Sequence, residues 1–470
     1  MTIQKKISGI ILLVIASLVM VGATAAAEGP ATDESDRQRV DVTVYNQDLA
    51  LVREIRAVEL PEGSFQLEFQ DVPARIDPTT LLVNVAGRTG LELLEQNYEF
   101  DLMSRDKILQ KYVGKRIAWI QEDSTRIEGT LLGIASGPVY EVAGEVVFEV
   151  PGRMALPALP ENLRARPTLV WQARTERSGE AEIEASYLTG GFSWHADYVL
   201  HLDEKGERAG LQAWVTVENR TGASFREANL LLVAGDINRA RPRMMMEIAD
   251  SPMAMKAGGR GGFVEESLYD YHLYTLQRPT TLLNNQIKQV SLFEADGIEV
   301  TKHYRLKAAP GLFRGSGSLH QQSPVEVSYS FENKQDNQLG MPLPAGTFRV
   351  YGRSESGARQ LLGEDRIGHT PTKEEIDLTV GKAFDIVAER VRTDARRVAD
   401  NVHRSTFEIT LRNHRDEDVV VEVLEQVGGY WEVVQSSQDY RKVSASELAY
   451  DVAVPSDGET VLTYTVEVKY

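Results

Sequence analysis

A strict alternation of apolar and polar side chains between positions 194 and 203 constrains this chain more than any other feature. The apolar positions are Trp194, Ala196, Tyr198, Leu200 and Leu202, and the polar ones are His195, Asp197, His201 and Asp203. Successive side chains of a strand point to opposite faces, so the pattern predicts a half-buried β-strand with one wet face. Residues 211–218 alternate in the same way after a turn at residues 203–206, which predicts an antiparallel hairpin. We interpret this hairpin as the centre of a β-sandwich.

Similar alternation recurs along the chain and predicts a mainly β, multidomain fold. Residues 39–98 carry alternating valines and phenylalanines with tight turns between them, and we interpret them as an N-terminal β region. Residues 165–395 are interpreted as a central β-sandwich region that contains the hairpin. Residues 402–470 carry about seven short strands with regular turns, which predicts a self-contained C-terminal immunoglobulin-like β-sandwich.

Residues 99–155 predict a smaller domain of a different kind. Ser104 is a suitable N-cap and Gly114 a suitable end for a short helix, and four short, tightly turned strands follow it. A helix with four or five short strands is typical of a small SH3-like or Sm-like barrel. Residues 115–150 carry three cationic and six acidic side chains, a charge of −3. This charge favours a structural or protein-docking role over RNA binding.

The first residues have the three-part pattern of a secretory signal peptide. Lys5 and Lys6 precede an apolar run that ends in small residues, so we predict a signal peptide over residues 1–27. The polar residues 28–38 that follow are predicted to be a disordered leader. No later stretch is apolar enough to span a membrane. We therefore expect an exported protein, periplasmic or extracellular, with no integral membrane span after cleavage of the signal.

Charge and cysteine content narrow the possible partners. The chain carries a formal net charge of −18, which becomes −20 without residues 1–27 because they hold two lysines and no acids. An acidic surface repels phosphate, so nucleic acid is not expected as a partner. The chain has no cysteine, and its stability must therefore come from packed cores and not from disulfides.

Several blocks of the sequence resemble a known family. They include KYVGKRIAWI, ALPALPENLRARPTLVW, SYLTGGFSWHADYVLHLDE, LLVAGDINRA, LGMPLPAGTFRVY and LLGEDRIGHTP. These blocks resemble bacterial exported proteins with the uncharacterised C-terminal domain shared with mucoidy-inhibitor-like proteins. Those relatives have a long coiled coil where this chain has the predicted small barrel. The resemblance implies export and an envelope location, and it brings no established activity, cofactor or catalytic residue.

The motifs that carry enzyme chemistry are weak in this sequence. No Gly-x-Ser-x-Gly elbow, HExxH motif or phosphate loop is present. His195 and His201 are six residues apart on one strand, roughly 20 Å, and cannot share a metal ion. Glu364 and Asp365 are adjacent acids that we expect on a turn, in solvent or paired with Arg366. The sequon that begins at Asn219 is interpreted as a turn.

A methionine-rich stretch is the remaining local cluster. Residues 239–262 contain Met244, Met245, Met246, Met253 and Met255, followed by a Gly-rich tail. Such a long aperiodic segment predicts a flexible loop. Thioethers are soft ligands that select Cu(I), so copper handling through these five methionines is a lesser alternative.

These observations predict a non-catalytic binding or structural protein of the bacterial cell envelope. Its partner is expected to be a protein or another envelope component, bound through sheet edges and loops. The alternative is an envelope hydrolase that acts on peptide or glycan, with its catalytic groups assembled in space. No catalytic residue and no cofactor is predicted.

Overall fold

A computed structural model describes residues 29–86, 91–160, 163–235, 237, 263–308, 312–314, 319–354 and 356–470. The predicted mainly β, multidomain fold is confirmed, because strands dominate these residues. The predicted signal peptide, residues 1–27, and the methionine-rich segment, residues 239–262, lie outside the described residues. Among the helices in the described ranges, none is both long enough and apolar enough to cross a membrane.

The first half of the chain forms the following strands and one short α-helix. They are β1 Ala31–Thr32, β2 Arg37–Tyr45, β3 Leu49–Leu60, β4 Gly63–Gln70, β5 Ile76–Ala86, β6 Glu92–Glu99, α1 Arg105–Tyr112, β7 Arg116–Ile120, β8 Arg126–Gly133, β9 Val139–Val142, β10 Glu145–Val147 and β11 Arg153–Ala155. They continue with β12 Thr168–Thr175, β13 Gly179–Thr189, β14 Phe192–Leu202, β15 Arg208–Asn219 and β16 Phe225–Ala234.

The second half consists of strands and short turns of 3-10 helix. The strands are β17 Phe263–Leu268, β18 Tyr271–Leu276, β19 Thr280–Leu282, β20 Gln286–Glu299, β21 Thr301–Lys307, β22 Leu319–Glu332, β23 Gly346–Arg353 and β24 Arg359–Ile367. They end with β25 Glu375–Ala399, β26 Val402–Asn413, β27 Val419–Gln426, β28 Tyr430–Ser436, β29 Arg441–Ser444, β30 Glu447–Val454 and β31 Gly458–Lys469.

Three sheets share one large hydrophobic core and form the first body. Their strand orders are β1-β4-β12-β6, β17-β18-β16-β2-β3-β13-β5 with β19 beside β16, and β20-β15-β14-β23-β24. The core runs in sequence from Val40 to Leu378. The predicted boundary between residues 39–98 and residues 165–395 is therefore wrong. Strand β13 of the central region pairs on both sides with N-terminal strands, β3 and β5.

The predicted central hairpin is present as β14 and β15. Trp194 pairs with Val217 across it, and Trp194 and Tyr198 are buried. The polar atoms of both rings are satisfied, because Trp194 Nε1 donates to the Val233 carbonyl at 3.2 Å and the Tyr198 hydroxyl donates to the Pro344 carbonyl at 2.7 Å. The apolar face of the hairpin thus forms the centre of the first core.

The smaller predicted domain is an insertion between two neighbouring strands. Strands β6 and β12 pair directly, and the intervening residues form α1 and an antiparallel sheet in the order β10-β9-β8-β7-β11. The insertion has its own core, in which the Trp119 ring meets Tyr140 edge-on at 4.8 Å. Ser104 caps α1 as predicted. The predicted barrel is wrong in one respect: the end strands β10 and β11 do not pair, so the sheet stays open.

The C-terminal body is larger than predicted. Its nine strands lie in the order β28-β31-β26-β25-β22-β21-β27-β30-β29. Strands β26 and β27 are consecutive in the chain, yet β25, β22 and β21 lie between them, and Val325 and Ile386 pack in the same core as Phe407. Residues 402–470 are therefore not self-contained. Alternation predicts that strands are present, but it carries no information on which strand lies beside which.

Two strands pass through both bodies. In β25, Leu378 belongs to the first core and Ile386 to the second. In β22, Phe331 belongs to the first core and Val325 to the second. The ladder between the two strands is interrupted where the pair Pro324 and Val387 is followed by Glu326 and Lys382. This bulge turns both strands from one core into the next.

The leader is ordered over the residues that the structure describes, so the prediction of disorder for residues 28–38 is wrong over residues 29–38. Ala31 pairs with Glu68 in a short parallel bridge to β4. Asp33 caps a 3-10 helix by accepting from the Ser35 backbone N–H at 2.8 Å. These polar residues are held by hydrogen bonds that composition alone does not reveal.

Candidate binding groove on the central sheet

The outer face of the sheet β20-β15-β14-β23-β24 carries the polar positions of the central hairpin. At one end of this face Asp197 is 8% exposed and accepts hydrogen bonds from Thr216 Oγ1 at 2.6 Å and Arg349 Nη1 at 3.0 Å. His195 Nε2 lies 3.3 Å from the same carboxylate. The predicted wet face is thus partly buried, and its buried charge is compensated by neighbours.

Arg349 joins two acids across three strands. Besides Asp197, its Nε donates to Glu364 Oε1 at 3.0 Å. The hydrogen bond to Asp197 is the largest cause that raises the pKa of Arg349, and burial opposes it. Because the Asp197 carboxylate and its donors are matched here, this end of the face stabilises the sheet.

The other end of the same face is a groove of about 520 Å³. Its lining includes Glu294, Asp296, Gly210, His201, Arg353 and Arg359. Gly210 pairs directly with His201, and a β-carbon at Gly210 would lie 2.9 Å from Asp296 Oδ1. The absence of a side chain at this position deepens the groove and lets the Asp296 carboxylate lean over the backbone.

His201 forms part of the floor of the groove. Its Nδ1 is buried and has no hydrogen-bond partner among the described residues. The imidazole lies 5.6 Å from the Tyr351 ring. Burial lowers the pKa of His201, and the positive charges of Arg359 and Arg353 lower it further. The ring is therefore neutral near pH 7.

Arg353 and Arg359 form the cationic side of the groove. They are directly opposed cross-strand partners on β23 and β24. Neither makes an ion pair with any residue that the structure describes. Like charges opposite each other on a sheet destabilise it. Both side chains are exposed, so water solvates them and they are available to bind an anionic group from outside the chain.

The adjacent acids Glu364 and Asp365 have different partners and do not act as a pair. Glu364 and Asp365 lie in β24 and not on a turn. Glu364 accepts from Arg349, whereas Asp365 accepts from the Thr379 backbone N–H at 2.7 Å on the neighbouring strand β25. Adjacent strand residues point to opposite faces, so the two carboxylates cannot act on one bond.

The other predicted positions fall as follows. His195 and His201 lie at opposite ends of β14 and are not brought together. Asn219 is buried, and its amide donates to the carbonyls of Ala223 and Leu282 at 2.9 and 3.1 Å, as in a turn. In the described ranges, no group of three or more His, Asp or Glu side chains is placed to hold a metal ion. The five methionines lie outside the described residues.

The groove residues were not identified from the sequence. Glu294 and Arg353 are far apart in the chain, and only sheet pairing brings them to one face. One local signal was available, since Arg353 and Arg359 flank the turn signal at residues 354–357. A tight hairpin at that turn places the two arginines opposite each other.

Comparison with known families decides where this chain belongs. The family described as "Domain of unknown function (DUF4139)" matches residues 183–470, more than half of the chain. The chain belongs to the DUF4139 family. No curated protein matches the chain. All five strands that carry the groove lie within the DUF4139 region. The first body is nonetheless incomplete without the preceding residues, because β16 of that region pairs in parallel with β2.

Proposed function

We propose that this DUF4139 protein is an exported protein of the bacterial cell envelope that binds its partner in the groove without catalysing a reaction. Export is supported by the charged, apolar and small-residue segments of residues 1–27. An envelope location, periplasmic or extracellular, and a relation to mucoidy-inhibitor-like proteins are supported by the blocks of sequence that resemble that family. An immunoglobulin-like C-terminal body is part of the same proposal, supported by its short alternating strands.

One observation carries the binding role. On the outer face of a single sheet, the end around Asp197 has its polar groups paired internally, whereas the groove end carries Arg353 and Arg359 without an ion-pair partner among the described residues. A groove with convergent charged groups that have no internal partner is the default place for a ligand to bind.

The test is photocrosslinking in cells that export the full-length protein. A photoreactive phenylalanine analogue replaces Tyr351 in the groove, and in a matched control it replaces Tyr430, which is 85% exposed on β28 of the C-terminal body. We expect a defined crosslinked species from position 351 that is absent from position 430. The same species from both positions, or no species from position 351, would contradict the proposal. N-terminal sequencing of the exported protein checks the cleavage near residue 27.

A further inference from the structure

The charges of the groove are separated across the sheet. The strand order β20-β15-β14-β23-β24 places Glu294 and Asp296 at one side and Arg353 and Arg359 at the other. Strands β20 and β23 are three strand spacings apart, roughly 14 Å. Asp203, Glu204 and Arg208 close the end of the groove between them. The groove therefore has an acidic side and a cationic side, with the neutral His201 between them.

The carboxylates of the acidic side, like the arginines of the cationic side, have no ion-pair partner among the described residues. Glu294 accepts one hydrogen bond, from the neutral Gln212 amide at 3.4 Å. Neither Glu294 nor Asp296 forms an ion pair with a described residue. Two exposed carboxylates beside a glycine leave room for a cationic group that donates to both of them. A simple anion would satisfy the arginines but would be repelled at this side.

The middle of the groove suits an amide. The Tyr351 ring and the His201 ring line it, 5.6 Å apart, and the faces of the two rings can pack against the peptide units of an extended chain. An aromatic wall also accommodates small apolar side chains. Each of the three parts of the groove thus matches one part of a zwitterionic chain.

We propose that the groove binds a short linear peptide with both termini free. Its carboxylate lies between Arg353 and Arg359, and its ammonium group lies at Glu294 and Asp296. A fully extended chain spans about 3.5 Å per residue, so the separation of the two charged sides corresponds to about four residues. The inference rests on the proposed function, because it names the ligand class of the same groove.

The test is isothermal titration calorimetry, in which tetra-alanine is titrated into the protein that comprises residues 28–470. N-acetyl tetra-alanine and tetra-alanine amide each lack one terminal charge, and succinate is the probe for a simple anion site. We expect tetra-alanine to bind and each blocked peptide to bind at least about tenfold more weakly, the effect of losing one charge-assisted contact. These comparisons alter the ligand only and do not depend on the folding of a variant.

Variants then test which side of the groove binds the carboxylate of the peptide. In the double variant Arg353→Gln/Arg359→Gln, tetra-alanine and its amide should bind equally weakly, whereas the effect of N-acetylation is retained. The matched control is Arg366→Gln, an exposed arginine of the same strand outside the groove, which should bind as the unsubstituted protein does. Glu355 lies between the two arginines in the sequence and outside the described residues; Glu355→Gln should bind tetra-alanine no more weakly.

The outcomes separate this inference from the proposed function. Equal binding of free and blocked peptides, or binding of succinate as tight as that of tetra-alanine, overturns the peptide assignment. No binding of any tetrapeptide also overturns it. A specific crosslink from position 351 under those results leaves the binding role standing with a different ligand. Loss of that crosslink removes the binding role itself.

Discussion

The buried carboxyl of Glu425 should make the stability of the C-terminal body depend on pH. Glu425 is fully buried and has one cationic partner, with its Oε1 2.5 Å from Arg390 Nη2. Burial raises the pKa of Glu425 from 4.5 to about 7, and Arg390 opposes the shift only in part. The folded-state pKa lies above the unfolded-state value, so the folded protein holds the proton more tightly. This contribution to stability is complete below pH 4.5 and is lost as the pH rises through 7.

The expected size follows from the separation of the two pKa values. A shift of about 2.5 units corresponds to about 3 kcal/mol, of which about 2.5 kcal/mol is lost between pH 5 and pH 8. Hydrogen-exchange mass spectrometry at β27 and β26 measures the free energy of opening of this body alone, which matters because a chain with two bodies is not two-state. The glutamine in Glu425→Gln cannot ionise, so the free energy of opening of this variant should not show the decrease between pH 5 and pH 8.

Glu54 supplies the control within the same chain. It is equally buried, but it accepts from Arg37 Nε at 2.7 Å, Arg56 Nη2 at 3.0 Å and the Tyr187 hydroxyl at 2.7 Å. Burial raises the pKa of Glu54, yet the charges of Arg56 and Arg37 outweigh it and lower the pKa. Glu54→Gln should destabilise the first body by a constant amount from pH 5 to pH 8. Parallel pH curves for Glu425→Gln and the unsubstituted protein would refute the reasoning.

Three further predictions concern the fold. Trp194→Ala should lower the free energy of unfolding by about 3–5 kcal/mol because Trp194 is 4% exposed, whereas His195→Ala should change it by no more than about 0.5 kcal/mol. Urea denaturation measures both changes, and equal effects would contradict the assignment of the two faces. Replacing residues 100–167 by Asn-Gly should leave the first body folded, since Glu99 and Thr168 are paired; unchanged exchange protection of β14 is the readout. In residues 183–470 expressed alone the first body should not fold, because β16 loses its neighbour β2; protection of the β14 amides from hydrogen exchange would disprove this.

The sequence predicted local geometry well and long-range pairing poorly. Alternation placed Trp194 and Tyr198 on a buried face because the period of a strand is a local property. Pairing is not local, so the insertion of β21, β22 and β25 between β26 and β27 was missed. The groove was not predicted for the same reason, since only the strand order places Glu294 and Arg353 on one face of the same sheet. Glu364 and Asp365 were placed on a turn because two adjacent acids disfavour a strand, and their hydrogen bonds to other strands override that preference.

The two strands that run through both bodies make the connection between them stiff. A flexible linker lets two domains tumble separately, whereas here β22 and β25 carry their ladder from Phe331 and Leu378 past the bulge to Val325 and Ile386. Bending at this point requires hydrogen bonds and packed side chains to separate. We therefore expect the distance and the angle between the groove and the C-terminal body to stay constant.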